Sequence, residues 1–326
     1  MSTYAAAGVD IGAAEENVRR IGRLVRSTHG PEVIGDFGAF AGLFHLTGIE
    51  DPVLVASTDG VGTKALLAAQ LGAYDVLGRD LVNLSVDDVL TTGARPLFFL
   101  DYVGLHALDH ALMEALVGGM AAACRENGCA LLGGETAQLP DLYAAGHFDL
   151  AGTVVGVVER TKLIDGSHVQ VGDRVWGLPS TGLHTNGYTL ARQLVSGLDL
   201  GKDPGGLGQS LGEALLAPHP SYFPAVEPIL GELKAIAHIT GGGIPGNLPR
   251  VLPEGVSVEI EWGAWHVPPI FAVLQALGGI GRDEMLRVFN MGLGLIFVTG
   301  LDLPGWPGAV EIGRVVPRAE QRVVIH

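Results

Sequence analysis

The sequence is poor in cysteine, in basic residues and in long apolar runs, and each shortage excludes a class of protein. Cys124 and Cys129 are its only cysteines, and they lack the further ligands of a zinc site, so we expect buried free thiols. With 20 Lys and Arg against 35 Asp and Glu, the net charge is −15, which argues against a nucleic-acid partner. No run approaches the roughly 18 apolar residues of a membrane helix, and residues 1–10 show no secretory signal. We therefore expect a cytoplasmic protein without a membrane partner.

The 326 residues, 48% of them hydrophobic, suffice for about two domains. Strand-like and helix-like patterns mix without a regular βαβ array, which predicts an α+β fold. A short polar stretch at 159–173 is the best candidate for a boundary, and we place the domains at 1–166 and 167–326. The predicted strands are 53–56, 97–103, 129–132, 150–158, 174–178, 256–260, 293–299, 309–315 and 321–325. The predicted helices are 64–72, 75–92, 109–127, 187–196, 222–236, 244–251, 268–277 and 282–288.

The run Ser57–Lys64 lies between a stretch that predicts a buried strand, 52–56, and a predicted helix. A turn of this kind, with Gly60, Gly62 and Thr63, points backbone N–H groups outward, where an anion can bind. Lys64 adds a mobile positive charge, and Asp59 is placed to hold a divalent metal. The Walker A spacing does not fit this run. Two interpretations stay open, another kind of phosphate site or a tight turn only.

Three carboxylates, those of Asp80, Asp87 and Asp88, share one side of the next predicted helix, with Leu84 among them. Clustered carboxylates repel one another unless a cation lies between them. The alternative is a solvated acidic face. Asp59 and Asp101, each near a strand end, favour the metal, and Mg²⁺ prefers carboxylates, waters and phosphate oxygens.

Glycine-rich turns at three further places follow apolar strands. Gly133 and Gly134 precede Glu135, a carboxylate placed to face a ligand unless the segment is an ordinary polar turn. His184, in the turn 180–188, is a candidate proton carrier or phosphate partner, and the alternative is an N-capping loop. Gly241, Gly242 and Gly243 precede a helix with Asn247 and Arg250, which indicates a phosphate-binding nest.

Nine segments in this order resemble the phosphoribosylformylglycinamidine cyclo-ligase family, and the resemblance runs almost end to end. They are Tyr4–Ile11, Pro31–Gly35, Ser57–Lys64, Pro96–Tyr102, Gly133–Ala137, Gly182–Tyr188, His238–Gly243, Phe289–Gly294 and Gln321–Ile325.

The resemblance implies an ATP-dependent ring closure in purine biosynthesis. ATP phosphorylates the formamide oxygen of formylglycinamidine ribonucleotide, an amidine-side nitrogen attacks the activated carbon, and phosphate leaves as the imidazole closes. Mg²⁺ is implied with ATP, and K⁺ is a further candidate cation. The family is a homodimer in which the N-terminal mixed sheets pair into an interface barrel, and its C-terminal domain is an α/β sandwich.

The resemblance also implies roles for individual residues, with Gly35–Phe40 as a mobile cover near the site. The implied catalytic residues are His184, Asp88 and Asp59. The implied ATP-binding residues are Asp59, Gly60, Gly62, Thr63, Lys64, Asp80, Gly133, Gly134 and Glu135, with Asp59, Asp80, Asp88 and Glu135 as metal ligands. The implied substrate-binding residues are Asn186, Gly241, Gly242, Gly243, Asn247 and Arg250.

Four positions depart from the family pattern. Gly22 replaces a lysine expected near the phosphates, for which Arg20 or Arg23 is a candidate substitute. Asp87 replaces an asparagine beside the key aspartate. Pro218–Tyr222 replaces a Pro-Thr-Arg-Ile-Tyr run, which removes an arginine, and 301–313 is too short and too rich in proline for the helix usual there.

Two other functions fit parts of the same pattern. One is an ATP-using kinase of the same superfamily, such as a thiamine-monophosphate kinase or a selenophosphate-forming enzyme. The second-half segments, above all Gly182–Tyr188 with Asn247 and Arg250, argue against it. The other is a non-catalytic nucleotide-binding partner, against which the complete acidic cluster argues.

Overall fold

The computed structural model describes residues 10–306 and 308–326, so most of the motif Tyr4–Ile11 lies outside the described part. In that part of the chain, no helix is long and apolar enough to cross a membrane. Each half carries helices and a sheet of mixed strand direction, so the expected α+β class is confirmed.

The chain divides into two compact units. The first comprises the residues up to 89 together with 95–160, and the second comprises 90–94 with 161–326. The expected boundary between residues 166 and 167, and the roles expected of the two domains, stay predictions.

The first unit contains a four-stranded mixed sheet and a two-stranded ribbon. Its helices are α1 (Ile11–Arg26), α2 (Lys64–Leu71), α3 (Tyr74–Leu90) and α4 (His110–Glu126). Its strands are β1 (Val33–Ile34), β2 (Leu43–Phe44), β3 (Pro52–Gly60), β4 (Arg95–Leu105), β5 (Ala130–Gln138) and β6 (Phe148–Glu159). The strand order is β3-β6-β4-β5, in which only β4 and β5 run parallel. Within the described residues this sheet is open, so one chain forms no closed barrel.

The second unit contains a six-stranded sheet in the order β12-β9-β11-β7-β10-β8. Its strands are β7 (Arg174–Pro179), β8 (Leu233–His238), β9 (Val256–Ile260), β10 (Leu293–Thr299), β11 (Val310–Pro317) and β12 (Val323–Ile325). Its helices are α5 (Tyr188–Leu194), α6 (Leu211–Leu215), α7 (Phe223–Val226), α8 (Gly243–Asn247), α9 (Pro269–Gly278) and α10 (Arg282–Val288). In the described residues of 301–313, which leave out 307, there is no helix, as expected.

One apolar core organises the second unit around the central strands. Val175 of β7, Ile296 of β10 and Ile312 of β11 are almost fully buried, and Leu248 packs against the same cluster. Burying a side chain of this size stabilises a fold by roughly 1.5–3 kcal/mol. The turns that follow β7 and β8 are therefore held on a well-packed sheet.

The strand β3 is an edge strand, which corrects the expectation of a buried strand at 52–56. Its residues alternate between exposed and half-buried positions, and Leu54 is 62% exposed. On the same side of the sheet, Leu100 and Tyr102 of β4 are also exposed. The physical reason is that helices cover the other face of this sheet, while the face with Leu54 is open in the single chain.

The predicted helix at 222–236 is also wrong. A short helix, α7, is followed by a 3₁₀ turn at Glu227–Glu232 and then by the strand β8. Pro228 and Gly231 interrupt helical hydrogen bonding or favour other conformations. The following apolar residues then pair antiparallel with β10, a tertiary contact that outweighs their helical propensity.

Candidate active site

Two carboxylates lie where β3 and α3 meet on the helix-covered face of the sheet. The hydroxyl of Ser57 donates a 2.8 Å hydrogen bond to Oδ2 of Asp88. Asp59, two residues further along β3, points to the same face, about 7 Å along the strand, and its Oδ1 accepts the backbone N–H of Gly60 at 2.7 Å. Asp59 is exposed and Asp88 is half-buried. Both oriented carboxylates are accessible, and this donor type suits Mg²⁺.

The turn that follows Asp59 is fastened at both ends. Val61 is fully buried, and its N–H donates to the carbonyl of Leu150 at 3.3 Å. Gly62 has φ +57°, in the left-handed region that favours glycine. Thr63 is then the N-cap residue of α2. The turn with Gly60, Gly62 and Thr63 is therefore rigid beside Asp59.

Lys64 and Asp80 form an ion pair with an Nζ–Oδ2 distance of 2.5 Å, and neither side chain is exposed. The expectation of a mobile Lys64 that faces a phosphate is therefore wrong. Asp80, expected to be a metal ligand, instead holds a lysine through one carboxylate oxygen. A buried pair of this kind is costly to break from one side only, so it fixes α2 and the preceding turn on α3.

Residues 80–87 of α3 are all buried, so the solvated acidic face is also wrong as an interpretation. Asp80 and Asp87 are fully buried, and Leu84 between them is 1% exposed. Asn83 accepts a 2.9 Å hydrogen bond from the amide of Asn127, and both are buried. Only Asp88 of the three acidic residues is partly exposed.

The strand register separates Glu135 from Asp59. The residues Asp59, Gly152, Asp101 and Gly134 form one row across the four strands. A Cβ on Gly134 would lie 2.2 Å from Oδ1 of Asp101, so these two residues share a face, and Glu135 lies on the other. The strands of Asp59 and Glu135, β3 and β5, are three strand spacings apart, which amounts to about 14 Å. Within one chain, a single ion cannot bind both Asp59 and Glu135, which corrects the expected set of four metal ligands.

Asp101, left out of the implied site residues, lies on the face that α1 and α4 cover. It lines a cavity of about 200 Å³ with Asn17, Gly133 and Gly134. Burial raises the pKa of Asp101 to about 7. Asn17 is 1% exposed, and its Oδ1 accepts no hydrogen bond in the described part of the chain. The sequence signal for Asp101 was its expected place near a strand end, whereas in the structure it lies within β4.

Arg26 occupies the space beside Gly22. A Cβ on Gly22 would lie 3.0 Å from Nη1 of Arg26. Arg26 also pairs with Asp36 at 2.6 Å, which ties the segment expected to be a mobile cover to α1. The expected substitute Arg20 is instead bound to two glutamates of the first unit. Arg26 therefore lies beside position 22, where the resemblance implies a lysine.

In the second unit, His184 follows β7 with φ +61°, a strained conformation for a residue with a side chain. It is 1% exposed, and its ring stacks on that of His219 at 4.0 Å between centroids. Its Nε2 lies 3.4 Å from the hydroxyl of Tyr222. A Cβ on Gly294 would lie 1.9 Å from that hydroxyl oxygen and 2.5 Å from Cε1 of His184, so only glycine permits this approach.

Asn290, which sequence reasoning missed, holds the turn of His184. Its Oδ1 accepts from the hydroxyl of Ser180 at 2.9 Å and from the N–H of Gly292 at 2.9 Å, and its amide donates to the carbonyl of Gly182 at 2.8 Å. The N-cap of α5 is Gly187 without a side-chain cap, so His184 does not have the capping role considered above.

Asn247 shapes the glycine loop from within. Its buried amide donates to the carbonyls of Gly241 at 3.2 Å and Gly243 at 2.9 Å, while its Oδ1 accepts from Arg250 at 3.2 Å. Gly241 and Gly242 are exposed, and a Cβ on Gly241 would lie 3.4 Å from Oδ1 of Asn186. The structure thus brings these implied residues together, with Asn247 bound to the loop. The following helix, α8, is five residues long and continues as a 3₁₀ helix at Leu248–Val251, so the predicted helix 244–251 is α-helical only in its first half.

Two family models match the chain. The N-terminal domain of AIR synthase related protein matches residues 41–158, and the C-terminal domain matches residues 170–326. Together they cover most of the chain.

Curated relatives match over nearly the whole length. The phosphoribosylformylglycinamidine cyclo-ligase of Myxococcus xanthus (strain DK1622) is 50% identical over 328 residues, which cover 98% of this chain and 94% of that protein. That of Sorangium cellulosum (strain So ce56) is 49% identical over 304 residues, with coverage of 91% and 87%.

Solved structures share the fold at much lower identity. Thiamine-monophosphate kinase from Stenotrophomonas maltophilia K279a has a TM-score of 0.68 at 20% identity and covers 93% of this chain and 94% of its own. Hydrogenase maturation protein HypE in complex with ATP has a TM-score of 0.64 at 20% identity, with coverage of 96% and 91%. On the family models and the relatives together, this chain belongs to the AIR synthase-related family, among the phosphoribosylformylglycinamidine cyclo-ligases.

Proposed function

We propose that this chain converts formylglycinamidine ribonucleotide to aminoimidazole ribonucleotide, with ATP as phosphoryl donor. The observation that carries the proposal is the identity of about half of all residues, over more than nine-tenths of the chain, with cyclo-ligases. Likeness to the kinases is confined to the fold at 20% identity. The reaction belongs to purine biosynthesis, and we place it in the cytoplasm.

The pair Asp59 and Asp88 would hold Mg²⁺ at this site. Their exposure and their fixed carboxylates support the assignment, because a hard divalent cation takes a few oriented oxygen ligands and keeps its other positions for water and phosphate. The ion would neutralise charge on the transferred phosphoryl group. The buried Lys64–Asp80 pair positions the turn with Gly60, Gly62 and Thr63 and does not contact the phosphates.

Arg26 would supply the positive charge that Gly22 lacks. Its guanidinium lies beside position 22, and its partner Asp36 belongs to the glycine-rich segment. We therefore place one phosphate contact of ATP near this end of α1, beside the cavity that Asp101 and Gly134 line, while the transferred phosphoryl group would lie at the Asp59–Asp88 pair. Gly133 and Glu135 stay candidates for nucleotide contacts in that region.

The second unit would bind the substrate through Asn186, the glycine loop 241–243 and Arg250. Exposed backbone of Gly241 and Gly242 beside Asn186 supports a phosphate contact. Asn247 keeps the loop in shape. His184 would take up the proton that the attacking nitrogen loses, and its strained, glycine-dependent placement supports a role that requires a fixed ring.

The chain would act as a homodimer whose first-unit sheets meet. The support is the open sheet face with Leu54, Leu100 and Tyr102, together with the exposed edge β3. Pairing of two such sheets would form the barrel that one chain lacks. It would also allow Glu135 to act on the partner's site.

The deciding experiment incubates the purified chain with ATP, Mg²⁺, K⁺ and formylglycinamidine ribonucleotide, and detects aminoimidazole ribonucleotide. A parallel sample contains thiamine monophosphate in place of the substrate. We expect product only in the first sample, and no turnover by Asp88→Ala with an unchanged circular-dichroism spectrum. Phosphorylation of thiamine monophosphate without ring closure would overturn the proposed function. Wild-type turnover by Asp88→Ala would overturn the assignment of Asp88 to the Mg²⁺ site. Replacing K⁺ by Na⁺ in the same assay tests whether turnover requires K⁺ as a further cation.

A further inference from the structure

Three buried histidines of the second unit converge on one point. His184, His219 and His238 are 1%, 0% and 5% exposed. Each offers a ring nitrogen, and these nitrogens all lie within 4.8 Å of one another. They come from the turn after β7, the loop before α7 and the end of β8. Their meeting is therefore a product of the fold and not of local sequence.

The backbone fixes where these rings lie. His238 is the last residue of β8 and pairs with Leu295 of β10. His184 is held at φ +61° against Gly294 of the same strand. His219 stacks on His184 at 4.0 Å and lies 5.2 Å from the ring of His238. The strand β8 thus presents His238, a turn packed against β10 presents His184, and a loop supplies His219.

The donor set selects a class of metal. Imidazole suits Zn²⁺, Co²⁺, Ni²⁺ and Cu²⁺, whereas Mg²⁺ and Ca²⁺ prefer oxygen. Tetrahedral Zn–N bonds of about 2.0–2.1 Å place neighbouring nitrogens about 3.4 Å apart. The ring nitrogens would therefore draw together by up to about 1.4 Å when the metal binds. A fourth position is left for solvent or an anion.

We propose that His184, His219 and His238 form a site for a borderline divalent metal of the Zn²⁺ class. It differs in ligands and in place along the chain from the Asp59–Asp88 site. Metal binding engages the ring of His184, so an occupied site lowers turnover. That consequence rests on the proposed function, whereas the metal site itself does not.

Isothermal titration calorimetry of the metal-free full chain with ZnCl₂ tests the site without ATP or substrate. Titration with CoCl₂ also reports geometry through the visible absorption of tetrahedral Co²⁺. We expect one strong site per chain. His219→Phe keeps an aromatic ring for stacking but removes the metal ligand. Mutating a residue that only hydrogen-bonds to a metal ligand already lowers metal affinity roughly 10- to 100-fold. Loss of the ligand itself should therefore weaken Zn²⁺ binding by more than that.

His238→Asn removes a second metal ligand, which lies on β8 and not on the loop of His219. It replaces His219→Phe in the titration if that variant does not fold. The matched control is His266→Ala, which removes one exposed histidine of the same unit and should bind as the wild type does. Equal Zn²⁺ affinity of the wild type and either folded ligand variant would overturn the proposal, as would an octahedral Co²⁺ spectrum. Ring closure is assayed separately, with Mg²⁺ as the only divalent metal. A chain that fails to close the ring would therefore contradict the proposed function but not the Zn²⁺ titration.

Discussion

Removing Lys64 should destabilise the first unit far more than removing a surface lysine. Lys64→Met leaves the carboxylate of Asp80 buried and without its cation at a site where both side chains are 0% exposed. Breaking a buried pair from one side costs roughly 3–5 kcal/mol. The double variant Lys64→Met with Asp80→Leu removes both charges and fills the space with apolar atoms. It should therefore recover most of the lost free energy of unfolding.

Urea unfolding followed by far-UV circular dichroism measures these differences, and amide hydrogen exchange in α3 localises them. Tryptophan fluorescence is unsuitable, because all four tryptophans lie beyond residue 170. The control is Lys202→Met, which removes an exposed pair with Asp199 and should cost less than about 1 kcal/mol. A similarly small cost for Lys64→Met, or no recovery in the double variant, would refute the structural role of the buried pair.

Three further variants test other parts of the account. Arg26→Ala should raise the KM for ATP roughly 10- to 100-fold through loss of a charged contact, while Arg19→Ala should leave it unchanged; equal values for both in a steady-state assay would exclude Arg26 from the phosphate site. Leu54→Glu should yield monomers in analytical ultracentrifugation, unlike Leu142→Glu at another exposed position of the first unit; persistent dimers would remove this sheet face from the interface. Burial raises the pKa of Asp101 from 3.8 to about 7, so folding favours its protonated form and stability falls as pH rises from about 4 to about 7, by at most about 4 kcal/mol. Asp101→Asn should abolish that fall in urea titrations, and an unchanged pH dependence would contradict the assigned burial.

Regular elements with strong local patterns were predictable from sequence. The strands 256–260 and 293–299 coincide with β9 and β10, and the helix 109–127 differs from α4 only at its ends. Buried free thiols were also confirmed, since both cysteines are buried and unbridged. These features depend on the alternation or run length of apolar residues, on helical periodicity and on composition, all of which can be read without knowing which distant segments meet.

The order of strands in space was not predictable, and it decides which carboxylates meet. The sequence grouped Asp59 with Glu135, yet β6 and β4 lie between their strands. Lys64 looked like an exposed charge because nothing local shows that α3 presents Asp80 to it. In both cases a contact between distant segments determined the environment of the side chain.

The strand β8 and the histidine cluster show the same limit. The residues of β8 looked helical and became a strand through pairing with β10. His184, His219 and His238 follow no common spacing, and only the topology of the sheet brings them together. The sequence singled out His184 by itself, whereas His219 lay in the departure Pro218–Tyr222 and His238 in the motif His238–Gly243, with nothing to link the three.

The fate of one oxygen atom tests the central claim most directly. Formylglycinamidine ribonucleotide labelled with ¹⁸O in the formyl group is converted by the purified chain with ATP and Mg²⁺, and the released phosphate is analysed by mass spectrometry. Phosphorylation of the formamide oxygen followed by ring closure transfers that oxygen, so each phosphate should carry one ¹⁸O in step with aminoimidazole ribonucleotide. Unlabelled phosphate, or labelled substrate that remains unconverted, would contradict the account.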